Sequence, residues 1–351
     1  LAAAGKRLRD APQIAIRGSF GGFAMARSIV RFGESLGACL EPTTSVGQQA
    51  LRRAIARDGL ISATLGDVRR YADLVLLLGQ PEQAYPRLVE RFLREGLVAG
   101  RTRQRVTITL RDDADPQRPP VAEPPADQLT VSPAELSRLI AEWKTDEQAS
   151  AAETNAPDLT ARLQRAEYIA VILGPDAFSP WGVLGGEIAA AGLLDAVAHW
   201  NRRRRAVLVA PDASTTFRQV AVWQSGFAGP VRWNQHSPSP LERGAFAQLW
   251  EAPETVRLEI AAAADVRQPD EPSGGTGTPA EILLTSEGGK RAQRQAAEIV
   301  LPIAAPGIDT PDTVVRGDGS ITLPLRPLRP QWEPTLAETL VALAEAAATP
   351  H

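Results

Sequence analysis

Thiols and imidazoles are scarce in this sequence: among 351 residues there is one cysteine, Cys39, and three histidines, His199, His236 and His351. A single thiol excludes an internal disulfide and any iron–sulfur cluster held by four cysteines of this chain. The three histidines leave little for a histidine-rich metal centre, so carboxylates would have to supply the ligands. A basic excess is missing as well, since 38 Lys and Arg face 41 Asp and Glu for a formal net charge of -3. That balance gives no reason to expect nucleic acid as a partner. No apolar run reaches the ~20 residues needed to cross a bilayer. Leu1 to Arg9 lacks the apolar core of a secretion signal. The expectation is a soluble, cytoplasmic protein without a membrane partner.

What is present is the composition of a folding chain, with 44% hydrophobic and 23% charged residues, and a length that suggests two domains. Strand and helix patterns alternate. Gln13–Arg17 reads as a strand, Phe23–Leu36 as a helix ended by Gly37, Ala38–Glu41 as a strand and Val46–Arg57 as a helix. A small strand near Ile61–Thr64 follows. Asp73–Leu78 is a continuous apolar run, as expected of a parallel strand covered on both faces. A helix at Tyr85–Glu95 and a strand at Arg105–Leu110 complete a βαβ series. Five prolines and several acids between Asp112 and Gln128 mark an exposed connection. Beyond it the spacing gives helices at Pro133–Ala149, Asp158–Ala166 and Gly182–Trp200, and strands at Tyr168–Leu173 and Ala206–Val209. Further strands fall near Val231–Trp233, Val256–Ile260 and Glu281–Leu284, with helices near Phe217–Ser225, Leu241–Trp250, Lys290–Ala297 and Thr335–Ala348. The class is α/β with mostly parallel sheets.

Few residues offer chemistry. The turn Gly18-Ser19-Phe20-Gly21-Gly22 opens a helix after a strand, where α/β proteins can cradle a phosphate, but a tight turn demands the same residues. Neither His199 nor His236 has a neighbouring motif that would make it a general base. Cys39 lies inside a strand and reads as a small buried apolar group. Asp112 and Asp113 sit in the Pro-rich connection, a poor setting for preorganised catalysis. Arg202, Arg203, Arg204 and Arg205 form either a polyanion contact or a solvated strand entrance. Of seven tryptophans, Trp223 and Trp233 cluster in sequence with Phe227 as a candidate interface or ligand wall, with core packing as the alternative.

Several stretches together resemble the B-type subunits of the formylmethanofuran dehydrogenases, of the molybdopterin oxidoreductase superfamily. They are Glu41 to Gly47, Thr64 to Asp73 with Leu76 to Gly79, Tyr85 to Arg87, Val220 to Phe227, Ala297 to Ala304, Gly307 to Arg316 and Gly319 to Arg326. The resemblance covers about Ile14 to Arg329. It implies two Rossmann-like αβα domains like the central domains of that superfamily, without an iron–sulfur domain. The first would comprise residues 1–46 and 206–351, and the second, inserted, residues 47–205 with the connection 112–128.

The departures decide the functional expectation. Where the redox subunits place a metal-ligating cysteine followed by a histidine, this sequence has Gly47 and Gln48. Glycine offers a metal no side chain, and glutamine does not shuttle protons as imidazole does. An Arg-Gly-His stretch of the family is replaced by Val209-Ala210-Pro211-Asp212, and the iron–sulfur cysteines have no counterpart. The sequence in this respect is similar to the B-type subunits without a metal centre in the formyltransferase/hydrolase complexes of methylotrophic bacteria.

That resemblance implies a non-catalytic structural subunit with no cofactor of its own, partnered by the A, C and D subunits. Those partners would transfer formyl from formyl-tetrahydromethanopterin to methylofuran and hydrolyse formyl-methylofuran to formate, the latter on the zinc-dependent A subunit. Two alternatives stay open. One is an oxidoreductase subunit that retains a molybdopterin. The other is a binding module in which Arg202 to Arg205 take the polyglutamyl tail of the carrier.

Overall fold

The computed structural model describes residues 1–19, 21–85, 87–94, 96–110, 127–144, 157–234, 236–242, 244–261, 278–286 and 296–349. The expected features at Asp112, Asp113, Phe20, Pro86 and His351 lie outside the described residues, as do most of the Pro-rich connection and of the helix expected at Lys290–Ala297. The chain divides into two units, Leu1–Thr44 with Asp212–His351, and Ser45–Pro211.

In the unit Ser45–Pro211 the strand Leu74–Leu78 is buried at every residue, because its five consecutive apolar side chains meet a covered face on both sides. It lies at the centre of a five-stranded sheet, flanked by Gln104–Leu110 and then Gln128–Val131 on one side, and by Tyr168–Leu173 and then Arg205–Val209 on the other. All four pairings are parallel. The helices Val46–Asp58, Pro133–Glu142 and Gly182–Trp200 contribute to the core on one face. The helix Leu65–Tyr71 contributes to the core on the other. Hydroxyl caps set the helix starts: Ser132 and Thr64 each accept a backbone N–H three residues on, from Glu135 and Asp67, whose carboxylates bond back to the cap residue's own N–H.

Gly182–Trp200 belongs to an apolar helical stretch that by length and hydropathy could cross a membrane. It differs from the sequence expectation in that respect. Ala190, Leu193, Ala196, Val197 and Trp200 are instead packed into the α/β core. Gly186 permits its close approach to Val46–Asp58: a Cβ there would lie 2.7 Å from the Phe178 carbonyl oxygen and 3.0 Å from the Ala50 methyl.

Arg103 is a buried cation whose hydrogen-bond acceptors among the described residues are backbone carbonyls. Its guanidinium donates to the backbone oxygens of Ala72, Phe92, Arg94, Val68 and Arg69 at 2.5–3.2 Å. Burial pulls its pKa below the ordinary arginine value, with Arg69 adding repulsion. It ties the end of the helix Leu65–Tyr71 to the segment before the strand Gln104–Leu110.

In the other unit seven strands run in the order Ser237–Pro240, Val231–Asn234, Cys39–Pro42, Gln13–Ser19, Thr255–Ala261, Ile282–Thr285, Ile299–Pro302. The pairings from Cys39–Pro42 onward are parallel, whereas Val231–Asn234 runs antiparallel to both its neighbours. Phe23–Leu36, Thr215–Ser225 and Leu336–Ala348 supply the main core layer. The helix Ala2–Asp10 packs on Leu336–Ala348 so closely that a Cβ on Gly5 would lie 2.4 Å from the Ala346 methyl. Arg17 and Glu259 stand opposite each other on adjacent strands. They are 9% and 6% exposed and form an ion pair at 3.3 Å. The Arg17 guanidinium lies 3.9 Å above the Trp250 ring.

Further sequence expectations need correction. Ile61–Thr64 forms no strand. It runs as an extended segment whose Ile61 carbonyl accepts from Leu208 N–H. The helix expected at Tyr85–Glu95 is shorter, Leu88–Phe92, and a separate short helix, Pro81–Ala84, precedes it. Gln128, expected at the end of the connection, begins a strand. Residues 45–46 and 206–211, assigned to the first domain, fall in the second unit, where Arg205–Val209 completes the five-stranded sheet beside Tyr168–Leu173. Finally, Asp312–Val315 and Thr322–Leu325 pair as an antiparallel ribbon that periodicity did not reveal.

Candidate functional site

Gly47 is buried in the first turn of the helix Val46–Asp58. The helix start is held by Ser45, whose hydroxyl accepts from Gln48 N–H at 3.1 Å and donates to the Pro175 carbonyl. Gly47 N–H donates to the Ser179 hydroxyl at 3.2 Å. The turn carrying Pro175 to Ser179 therefore lies directly over Gly47. A Cβ built on Gly47 would stand 2.9 Å from Ser179 N, 3.0 Å from Phe178 N and 3.0 Å from the Pro175 oxygen. All three are backbone atoms, which cannot swing aside as a flexible side chain can. A sulfur ligand at position 47 thus does not fit this backbone, and Gln48 beside it is half-buried. Among the described residues no three His, Cys, Asp or Glu side chains gather to hold a metal ion.

The glycine-rich turn has a different occupant from a phosphate. Asp312 accepts from Ala24 N–H at 3.0 Å and from Met25 N–H at 3.4 Å. Its carboxylate lies 2.0 Å from where a Cβ of Gly22 would be. The helix N-terminus is already satisfied by an internal anion. Nothing in the local sequence signals this, because Asp312 arrives from nearly the other end of the chain.

Cys39 is 4% exposed. Burial pushes its thiol above the ordinary value, partly offset by Arg232, whose Nε lies 3.3 Å from the sulfur. It is a packed group. His199 is half-buried on the helix Gly182–Trp200, and His236 is an exposed loop residue with positive φ, 3.6 Å from Glu34.

The four arginines do not act alike. Arg202, Arg203 and Arg205 are exposed, while Arg204 is half-buried and donates to the Leu163 carbonyl. Arg205 stands 5.7 Å from the Tyr168 ring centre. It lines a cleft of about 280 Å³ with Ser62, Asp67, Tyr71, Tyr168 and Asn201. Asp67 and Asn201 are already committed to backbone and side-chain bonds. Burial raises the Tyr168 hydroxyl above its ordinary pKa, opposed by Arg205.

The aromatic trio is split. Trp223 is 67% exposed and stacks on Phe23 at 5.5 Å between ring centres. Phe227 packs against the core from a half-buried position. Trp233 is 3% exposed, so it is a core residue and not part of an interface. Strand alternation directs it inward.

Fold and site together define the class: an α/β protein of two units with mostly parallel sheets, in which backbone crowds position 47. No family profile matches the chain. In sequence the chain is similar to the B subunit of the formyltransferase/hydrolase complex Fhc of Methylorubrum extorquens, 24% identical over 286 residues, which span 80% of this chain and 75% of that protein. It shares its fold with a chain in the crystal structure of the formyltransferase/hydrolase complex (FhcABCD) from Methylorubrum extorquens in complex with methylofuran. That likeness has a TM-score of 0.73 at 21% identity and covers 98% of this chain and 94% of the other.

Proposed function

We propose that the chain is a non-catalytic structural subunit of a formyltransferase/hydrolase-type complex, holding the A, C and D subunits of that assembly together in the cytoplasm. The observation that carries this reading is the crowding at Gly47, where backbone atoms at 2.9–3.0 Å occupy the room a ligand side chain would need. A fold can keep its interfaces after its chemistry has gone, because function belongs to the site and not to the architecture. The similarity to the Fhc B subunit over 286 residues supports the same complex. In this reading the chain holds no cofactor. Formyl transfer from formyl-tetrahydromethanopterin to methylofuran and release of formate fall to its partners. Retention of a molybdopterin finds no support in the geometry. Capture of a polyglutamyl tail by Arg202 to Arg205 loses one of its four guanidinium groups to the Leu163 carbonyl.

The test is purification of the tagged chain expressed with its native partners, followed by subunit stoichiometry and metal analysis. The expected result is a complex in which this chain brings no tungsten or molybdenum. An unaccompanied monomer with its own turnover, or a stoichiometric metal–pterin in this chain, overturns the reading.

A further inference from the structure

Between Gly317 and Glu333 the chain makes an excursion that is almost entirely exposed. Water normally expels large apolar side chains from such a segment, yet four stand in it. Ile321 is 45% exposed, Leu323 37%, Leu328 81% and Trp332 80%. They occur within twelve residues on a segment that also carries Pro324, Pro327 and Pro330.

The excursion is anchored. Leu328 N–H and Arg329 N–H both donate to the Ile308 carbonyl, at 2.8 and 3.0 Å. The Arg329 guanidinium pairs with Asp309, whose side chain is 4% exposed. Arg316 pairs with Asp318, and Gly317 accepts from Asp212 N–H at 2.9 Å. Exposed apolar groups on a preformed backbone are the condition under which docking loses least conformational entropy. Arg326 is exposed and has no hydrogen bond or ion pair among the described residues, so it stands ready for a carboxylate.

Strand pairing with a second copy is the first rival to consider, because Thr322–Leu325 is the outer strand of a ribbon. Arg316 N–H donates to Ile321 O. Antiparallel alternation then turns the backbone groups of Thr322 and Pro324 to the free side. Pro324 has no N–H, so that edge lacks a donor where a pairing strand needs one. Recognition must run through side chains.

We propose that this arm is the docking element for another subunit of the assembly. The partner would present apolar slots for Leu328 and Trp332 with an acidic side chain in reach of Arg326. The proposal rests on the complex-subunit reading above, which supplies a different chain as the occupant.

The test compares four forms of the full chain, each expressed with its native partners: wild type, Leu328→Ser/Trp332→Ser, Arg326→Glu, and, as the control that should leave binding at this partner unchanged, Leu184→Ser/Ile188→Ser. The last alters residues 63% and 74% exposed on the helix Gly182–Trp200. The arm variant should bind its partner at least about 100-fold more weakly. Its unfolding midpoint in isolation should be unchanged, since both side chains are already in water. Arg326→Glu should weaken binding further at low salt than at high salt. Undiminished assembly of the arm variant overturns this inference and leaves the complex reading standing. A wild-type chain that purifies alone overturns both. An isolated wild-type dimer that the arm substitutions convert to monomer assigns the arm to a second copy, and that also overturns the proposal.

Discussion

The two α/β units resolve the same problem of sheet and helix in opposite ways. In Ser45–Pro211 the five-stranded sheet is wholly parallel, Gly47 and Gly186 let backbone and helix approach to contact, and the buried cation Arg103 donates to backbone carbonyls. The unit formed by Leu1–Thr44 and Asp212–His351 places an ionic pair in its interior, Arg17 with Glu259, and leaves apolar side chains of its arm in solvent. The contrast teaches that a glycine in a helix start need not leave a hole, because a turn can settle over the position.

The sharpest way to break this comparison is Arg103→Met. Five carbonyls would lose their donor in the interior, and a destabilisation of about 3–5 kcal/mol is expected. Urea unfolding, with hydrogen exchange of Leu74–Leu78 as the local readout, should show the loss confined to the unit Ser45–Pro211. A change spread equally over both units would mean that they do not unfold separately.

Glu259→Gln probes the other interior. It leaves a buried guanidinium with a neutral partner, for an expected loss of about 3 kcal/mol. The double variant Arg17→Met/Glu259→Leu should recover most of it, because removing both charges also removes the cost of burying them. A double variant as unstable as the single would show that the pair itself, and not its isolation, governs stability.

Gly47→Cys and Gly186→Ala test the closed packing. Each added Cβ meets backbone at 2.7–3.0 Å, for an expected cost of about 1–3 kcal/mol. A neutral Gly47→Cys would mean that the turn over it yields readily, and with that the closure argument fails.

The smallest effect concerns the arm. Arg329 and, less strongly, the Ala305 N–H hold Asp309 below the usual carboxylate range. A depressed folded-state pKa gives stability that is complete above about pH 4 and is lost as pH falls through the folded value. Asp309→Asn should therefore be less stable than wild type by about 1–2 kcal/mol at neutral pH. The gap should close in acid. Denaturant titrations of both forms between neutral and strongly acid pH would show it, and a pH-independent gap would contradict the linkage.

How far the site was legible depended on sequence distance. Gly47 was visible because a missing side chain is a local fact, and Cys39 because its strand pattern implies burial. The strand Leu74–Leu78 and the helix Phe23–Leu36 were readable from continuous and 3.6-residue patterns. By contrast Asp312 caps a helix that begins at Phe23, and Pro175–Ser179 covers Gly47. No window of periodicity contains both partners. For Trp233 composition leaves core and interface both open, because it does not say which side of a sheet the aromatic takes; the fold buries it.

The sequence by itself determined that no thiol or imidazole set exists here to build a redox centre, and that strands and helices alternate. Only the tertiary structure decided that backbone seals position 47, that residues 206–209 return to the second sheet, and that Leu328 and Trp332 remain in water. Side-chain identity and period are properties of neighbours along the chain, whereas room, cover and exposure depend on segments that folding brings together.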